Sequence, residues 1–309
     1  MTEINEGDKE IARGSDCGVC GSATESFGTK RGNWRPKVYR FRRCLFCAFI
    51  YVENPCVDFE NLYSAKYYAG QGADSFVDYI NELVPPKTIR YEEWAGIAKI
   101  IGTVKRLDSN LRWLDYGCGT GGLVRYLRSG NLADAEGYDQ ADIPGARDSS
   151  SIPIVGDEHL RDRAGYYDVI TAIEVFEHLV DPAATIRQLS TLLRPGGILF
   201  YTTGNCSKFQ KNFLTSWRYV IPEIHISYFQ PATMTKIFSN VGLKPVRIKW
   251  NSGFEKIICF KTLKTLGVRY CHPIFGIIPW FILARFIDRR YGISAYPIGV
   301  RDVGEPNGP

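Results

Sequence analysis

Histidine is scarce in this chain. Its 309 residues include four: His159, His178, His225 and His272. Chemistry that needs an imidazole near neutral pH must draw on those positions. Long apolar runs are also missing. None reaches the roughly 20 residues that span a bilayer, which argues against a transmembrane helix. The first ten residues, Met1-Thr-Glu-Ile-Asn-Glu-Gly-Asp-Lys-Glu10, are polar and acidic and lack the apolar stretch of a secretory signal. A cytoplasmic protein with reduced thiols is therefore expected. The nine cysteines then need a purpose other than disulfides.

What is present suits an enzyme with a real core. The chain is 45% hydrophobic and 13% aromatic. Its length allows one large domain and a small one. The net charge of +5 is unevenly spread. Residues 11–43 hold eight Lys or Arg against Asp16 and Glu25. A basic end of this kind suits an anionic partner such as a phosphorylated sugar, a lipid headgroup or nucleic acid.

Four of the cysteines form two Cys-x-x-Cys pairs, Cys17 with Cys20 and Cys44 with Cys47. Each short knuckle places two thiolates on one side of an ion, and the second knuckle completes a tetrahedron. Gly18 and Gly21 permit the tight turns. Four thiolate ligands leave no open position, so the expected ion is a structural Zn2+. The short segment buries little core alone, and the metal would supply folding energy.

The stretch Arg112-Trp-Leu-Asp-Tyr-Gly-Cys-Gly-Thr-Gly-Gly122 reads as a strand, a glycine-rich turn and a helix N-terminus. Glycine lets backbone take unusual dihedrals and lets a ligand touch the main chain. A helix N-terminus offers free N–H groups. A second strand ends in Asp139, about twenty residues past the glycines. An acid there can hold a ribose diol. Further strands run over Ile152–Asp157 and Tyr167–Ile173, and another follows Leu193-Arg-Pro-Gly-Gly197. Thr88–Leu107 has helical periodicity, and Pro231–Gly242 reads as a helix with a glycine stop. Leu243–Trp250 and Glu255–Thr262 read as closing strands.

Four motifs in order carry a resemblance. They are Asp115-Tyr-Gly-Cys-Gly-Thr-Gly121, Glu174-Val-Phe-Glu-His-Leu-Val-Asp-Pro182, Leu193-Arg-Pro-Gly-Gly197 and His225-Ile-Ser-Tyr-Phe-Gln230. Together they resemble class I S-adenosylmethionine (SAM) methyltransferases, on the branch of ubiquinone-type O-methyltransferases and zinc-bearing sugar C-methyltransferases. The resemblance covers roughly residues 60–262. It implies an α/β, Rossmann-like, seven-stranded, mostly parallel sheet with a small N-terminal zinc-ribbon-like module. The expected divisions are a disordered 1–14, a zinc module at 15–58, a helical lid or linker at 59–110, a SAM domain at 111–262, and an apolar, basic tail at 263–309.

The resemblance also implies roles. Asp115 would hold the amino end of SAM. Gly117, Cys118, Gly119 and Gly121 would let the methionine and ribose lie on the backbone. Asp139 would take the ribose hydroxyls, and Asp157 or Glu158 would reach the adenine amino group. Ile173 and Glu174 would line the methionine end, with Tyr67 or Tyr68 near the carboxylate. His225 is the first expectation for a general base, with Glu223 or Tyr228 in support and His178 second.

The expected reaction is methyl transfer to an oxygen or carbon of a small-molecule or sugar-like acceptor, including sugar nucleotides. The second reading is an RNA methyltransferase gripping phosphates through the basic zinc module. Thr203-Gly-Asn205 stands where base-amino methylation would need Asn/Asp-Pro-Pro-Tyr. The third is a non-catalytic binding protein on a SAM-type fold. Pro273–Ile287 is apolar and followed by Asp288-Arg-Arg290. Such a segment packs on its own domain or a second subunit, or lies peripherally on a membrane.

Overall fold

The computed structural model describes residues 11–58, 89–140, 152–206, 219–246 and 298–301, with single residues Leu62, Tyr63, Tyr67, Trp217, Ile257, Pro279, Ile282 and Leu283. Tyr68, His272 and most of the 263–309 tail lie outside them. The chain divides into two compact units. One comprises Met1–Asp78, Glu174–Thr185 and Thr203–Ile237; the other comprises Tyr79–Ile173, Ile186–Thr202 and Phe238–Pro309.

The first unit is built on a four-stranded sheet. Strands β1 (Thr24–Arg31), β2 (Val38–Cys44) and β3 (Ile50–Val52) form an antiparallel meander. A two-residue strand, Ser227–Tyr228, adds to β3 from far along the chain. One sheet face buries Phe27, Tyr39, Phe41, Ile50 and Tyr228, joined by Val220 and Ile226. The aromatic and β-branched content of these strands suits a pleated, half-buried surface.

The second unit holds a seven-stranded sheet. Its parallel members are β4 (Arg112–Tyr116), β5 (Asp134–Tyr138), β6 (Ile154–Val155), β7 (Tyr167–Ile173) and β8 (Leu193–Thr202). In this numbering Ser227–Tyr228 is β9. The sheet is completed by β10 (Leu243–Val246) and β11 (Ile298–Arg301), in the order β10-β11-β8-β7-β4-β5-β6. The helices are α1 (Arg90–Gly102), α2 (Gly122–Ser129), α3 (Asp157–Arg161), α4 (Pro182–Leu192) and α5 (Pro231–Asn240). Asp181 caps α4 by accepting the Ala184 N–H at 2.9 Å. Trp113, Val124, Leu127, Val169, Ile198 and Phe200 share a buried core with Ile97 and Ile101 of α1. Trp113 Nε1 donates to Thr171 Oγ1 at 3.0 Å, so the buried indole keeps a partner.

Strand order reverses between β4 and β7. In doubly wound sheets ligands bind outside the carboxyl ends of the strands at such a switch point. The glycine-rich turn follows β4 and stands at that place.

One expectation needs correction. The closing pair was placed at Leu243–Trp250 and Glu255–Thr262. The first stands as β10, but the strand between it and β8 is Ile298–Arg301, antiparallel to both. Of 255–262 only Ile257 is described, and it is helical. The sheet therefore continues beyond residue 262. Gly299 fits where a side chain would not, since a Cβ there would meet the Phe238 ring at 2.9 Å. Arg301 pins the strand by donating to the carbonyls of Thr191 and Leu193. Among the described residues no helix is long and apolar enough to cross a membrane.

Candidate cofactor and acceptor sites

The turn after β4 is held open by its glycines. Gly117, Gly119 and Gly121 have φ of 76°, 53° and 72°, in the left-handed region that ordinary side chains avoid. The N–H groups of Gly117 and Cys118 both donate to Tyr138 O, at 2.7 and 3.0 Å, which ties the turn to the end of β5. A Cβ on Gly121 would meet Ile152 at 2.7 Å, whereas one on Gly119 would meet nothing within 4 Å. The turn is packed on one side and open at Gly119.

Asp139 faces this opening, and further acids lie on neighbouring elements. Asp139 Oδ2 accepts the Gly119 N–H at 2.8 Å. Asp115 is buried and accepts from Thr171 Oγ1 at 2.7 Å. Burial raises its carboxyl to about 7; the Thr171 hydrogen bond opposes this, and the nearby Asp139 and Glu93 add to it. Asp157 is exposed at the start of α3 and accepts from Tyr138 OH at 2.7 Å, while Glu158 is exposed beside it. Tyr116 and Tyr138 stack with ring centroids 4.8 Å apart. Ile173 ends β7 half-buried. The next residue, Glu174, has φ 55°, a strained conformation for a non-glycine residue.

A different cluster lies within the first unit. His225 Nδ1 is 2.5 Å from Tyr219 O. A carbonyl only accepts, so Nδ1 carries the proton and Nε2 keeps its lone pair. Burial, with the neighbouring His178, drives the imidazole down to about 3, so the ring is neutral. The His178 and His225 ring centroids are 4.9 Å apart. His178 Nδ1 lies 2.8 Å from Tyr63 OH and 2.9 Å from Ile224 O. Glu177 is fully buried and accepts from Thr203 Oγ1 at 2.8 Å and Tyr219 OH at 3.0 Å. Burial, then Glu174, raises its carboxyl to about 8.

The two supporting groups point elsewhere. Tyr228 OH donates to the backbone O of His225 at 2.6 Å. Glu223 accepts the N–H groups of Trp34 and Arg35, at 2.7 and 3.2 Å, and so fastens the β1–β2 turn. The reading of the sequence missed Glu177 and Tyr219 as members of the cluster. The adjacency of Glu177 and His178 was a signal; Tyr219 left none.

Cys17, Cys20, Cys44 and Cys47 come together. Sγ separations are 3.6 Å for Cys17–Cys47, 3.5 Å for Cys20–Cys44 and 3.6 Å for Cys20–Cys47. The N–H groups of Phe46 and Cys47 point at Cys44 Sγ, at 3.3 and 3.4 Å. Such donors favour a thiolate.

Residues 88–248, just over half of the chain, match the family described as a methyltransferase domain. The chain belongs to this methyltransferase family. The chain is 34% identical over 105 residues to a ubiquinone biosynthesis O-methyltransferase of Acinetobacter baumannii, covering 30% of this chain and 43% of that one. It is 29% identical over 154 residues to the protein of the same name from Vibrio parahaemolyticus, covering 44% and 64%. This methyltransferase-family chain thus spans less than two thirds of the length of these curated relatives. A SAM-dependent methyltransferase from Archaeoglobus fulgidus aligns with TM-score 0.41 at 15% identity, over 68% of this chain and 94% of that one. The observed sheet, five parallel strands closed by an antiparallel pair, is the class I arrangement expected from the motifs.

Proposed function

We propose that this protein transfers a methyl group from SAM to an oxygen of a small-molecule acceptor. The observation that carries the reading is the left-handed turn at 117–121, open at Gly119 and faced by Asp139 at the end of β5. Support for oxygen as the target comes from the relatives above, which are named as O-methyltransferases. Carbon remains the alternative target.

SAM brings a methyl group already activated on a sulfonium, so the protein mainly aligns and excludes water. In this reading the turn holds the methionine and ribose against backbone. Asp139 takes the ribose hydroxyls while keeping Gly119 in place. Asp115 receives the amino group, and Asp157 or Glu158 reaches the adenine. Ile173 lines the methionine end beside Glu174. In the acceptor cluster, His225 offers a lone pair on Nε2 that stays unprotonated at neutral pH. It can orient a hydroxyl by accepting its hydrogen bond. His178 stands beside it, Tyr228 fixes the His225 backbone, and Glu223 secures the neighbouring turn.

The four-cysteine cluster is assigned a structural zinc. A tetrahedral thiolate site with Zn–S of about 2.3 Å has sulfur–sulfur edges of about 3.8 Å. The observed 3.5–3.6 Å is close to that.

The test uses SAM labelled in the methyl group, incubated with the protein and a small-metabolite extract. Label should appear in low-molecular-weight product and resist RNase. Label that appears in RNA would favour nucleic acid as acceptor, and absence of any transfer would count against an enzyme.

A further inference from the structure

We propose that Glu177, His178 and His225 form a second metal site, for a divalent transition ion such as Zn2+ or Fe2+, separate from the four cysteines. One ligand atom from each residue lies within 4.8 Å of those of the other two. Two imidazoles and one carboxylate suit such ions, and three protein ligands leave positions open for a substrate oxygen.

The surroundings favour ligation. A metal-binding imidazole donates its other N–H to a carbonyl or carboxylate, which fixes the ring and its tautomer. His225 does this through Nδ1 to Tyr219 O. His178 has Ile224 O at 2.9 Å from Nδ1 for the same purpose. A ligating carboxylate is itself held by donors, and Glu177 has Thr203 Oγ1 and Tyr219 OH. Tyr219 therefore supports two of the three ligands, one through its carbonyl and one through its hydroxyl.

Glu177 is 0% exposed, and among the described residues no Lys or Arg bonds to it. A buried carboxylate of this kind is costly unless it is neutralised, paired or coordinated. A divalent ion coordinated by it would remove that cost.

The use of the ion rests on the methyl-transfer reading, with His225 then holding the acceptor oxygen through the ion in place of a direct hydrogen bond to Nε2. Bound at the open positions, an acceptor hydroxyl would be acidified by the cation, as water is on zinc. Metal binding itself does not depend on that reading.

The test is a metal titration of the purified full chain, stripped of metal and reloaded with Zn2+ or Co2+. Two ions per chain are expected. With Co2+, the cysteine site gives intense thiolate charge-transfer bands, and the second ion adds only weaker d–d bands. His225→Gln and His178→Gln should each lose the second ion and keep the thiolate bands, which show that the cysteine module is still formed. Tyr219→Phe keeps the ring and should weaken the second ion about 10-fold. A single ion per chain in the wild type would overturn the proposal, as would a second ion unaffected by His225→Gln. Binding of S-adenosylhomocysteine, measured on the same samples, reports separately on the methyltransferase reading.

Discussion

Asp139 Oδ2 lies 2.8 Å from the backbone nitrogen of Gly119 and accepts its hydrogen bond. One carboxylate thus fastens the glycine turn at the end of β5. Removing it should damage binding more than folding. Asp139→Ala is expected to weaken S-adenosylhomocysteine by about 10- to 100-fold, from the loss of charged hydrogen bonds worth about 1.5–3 kcal/mol. Calorimetry measures the affinity, and unchanged circular dichroism shows that the fold is kept.

Gly119 faces open space, whereas Gly121 faces the packed side chain of Ile152. Alanine at either position meets left-handed strain of about 1–2 kcal/mol. At Gly121 the new methyl also strikes Ile152, whereas at Gly119 it enters open space. Gly121→Ala should therefore lower Tm further than Gly119→Ala, at about 2–4 °C per kcal/mol. Gly119→Ala should still impair cofactor binding. Thermal scans with and without S-adenosylhomocysteine compare the two.

Asp115 gives a pH dependence. Its folded carboxyl titrates at about 7 against an ordinary 3.8, so the folded state holds its proton longer. Without ligand, its burial costs stability as pH rises from 3.8 to 7. In the proposed reading the ionised form, present above about 7, is the one that would attract the ammonium of SAM. Affinity should fall as pH drops below 7, and Asp115→Asn should bind weakly with that dependence lost. Titrations between pH 5.5 and 8 measure it. Equal slopes for wild type and variant would remove Asp115 from the binding role.

The cysteine cluster should be necessary to the first unit. Cys44 closes β2 and its sulfur receives two backbone N–H groups. Cys44→Ser, or a strong chelator, should release zinc and expose the cluster of Phe27, Tyr39 and Phe41. Elemental analysis and tryptophan and tyrosine fluorescence would report both events. Full retention of structure after metal removal would make the zinc incidental.

Much of this was legible in the sequence because local chemistry dictated it. Gly117, Gly119 and Gly121 announced a turn that only glycine makes easily, and Asp139 stood at the end of the next strand. The paired cysteines met as their spacing implied. The final strand was not legible. Ile298–Arg301 is four residues long, and its place depends on β8, β10 and the ring of Phe238, all distant in sequence. Glu255–Thr262 offered a longer apolar pattern, which drew the expectation there. The histidine cluster was half legible. His178 and His225 were singled out by scarcity, but Tyr219 and Thr203 join them only through tertiary contacts with Glu177 and His225. Tyr228 and Glu223 were expected to support His225 as a base, but their hydrogen bonds run to backbone groups.

The most direct measurement is calorimetric titration of the full chain with S-adenosylhomocysteine. Saturable binding of one molecule per chain is expected, weakened by both Asp139→Ala and Gly119→Ala. No binding to folded wild-type protein, or equal binding to both variants, would contradict an adenosyl site at the 117–121 turn.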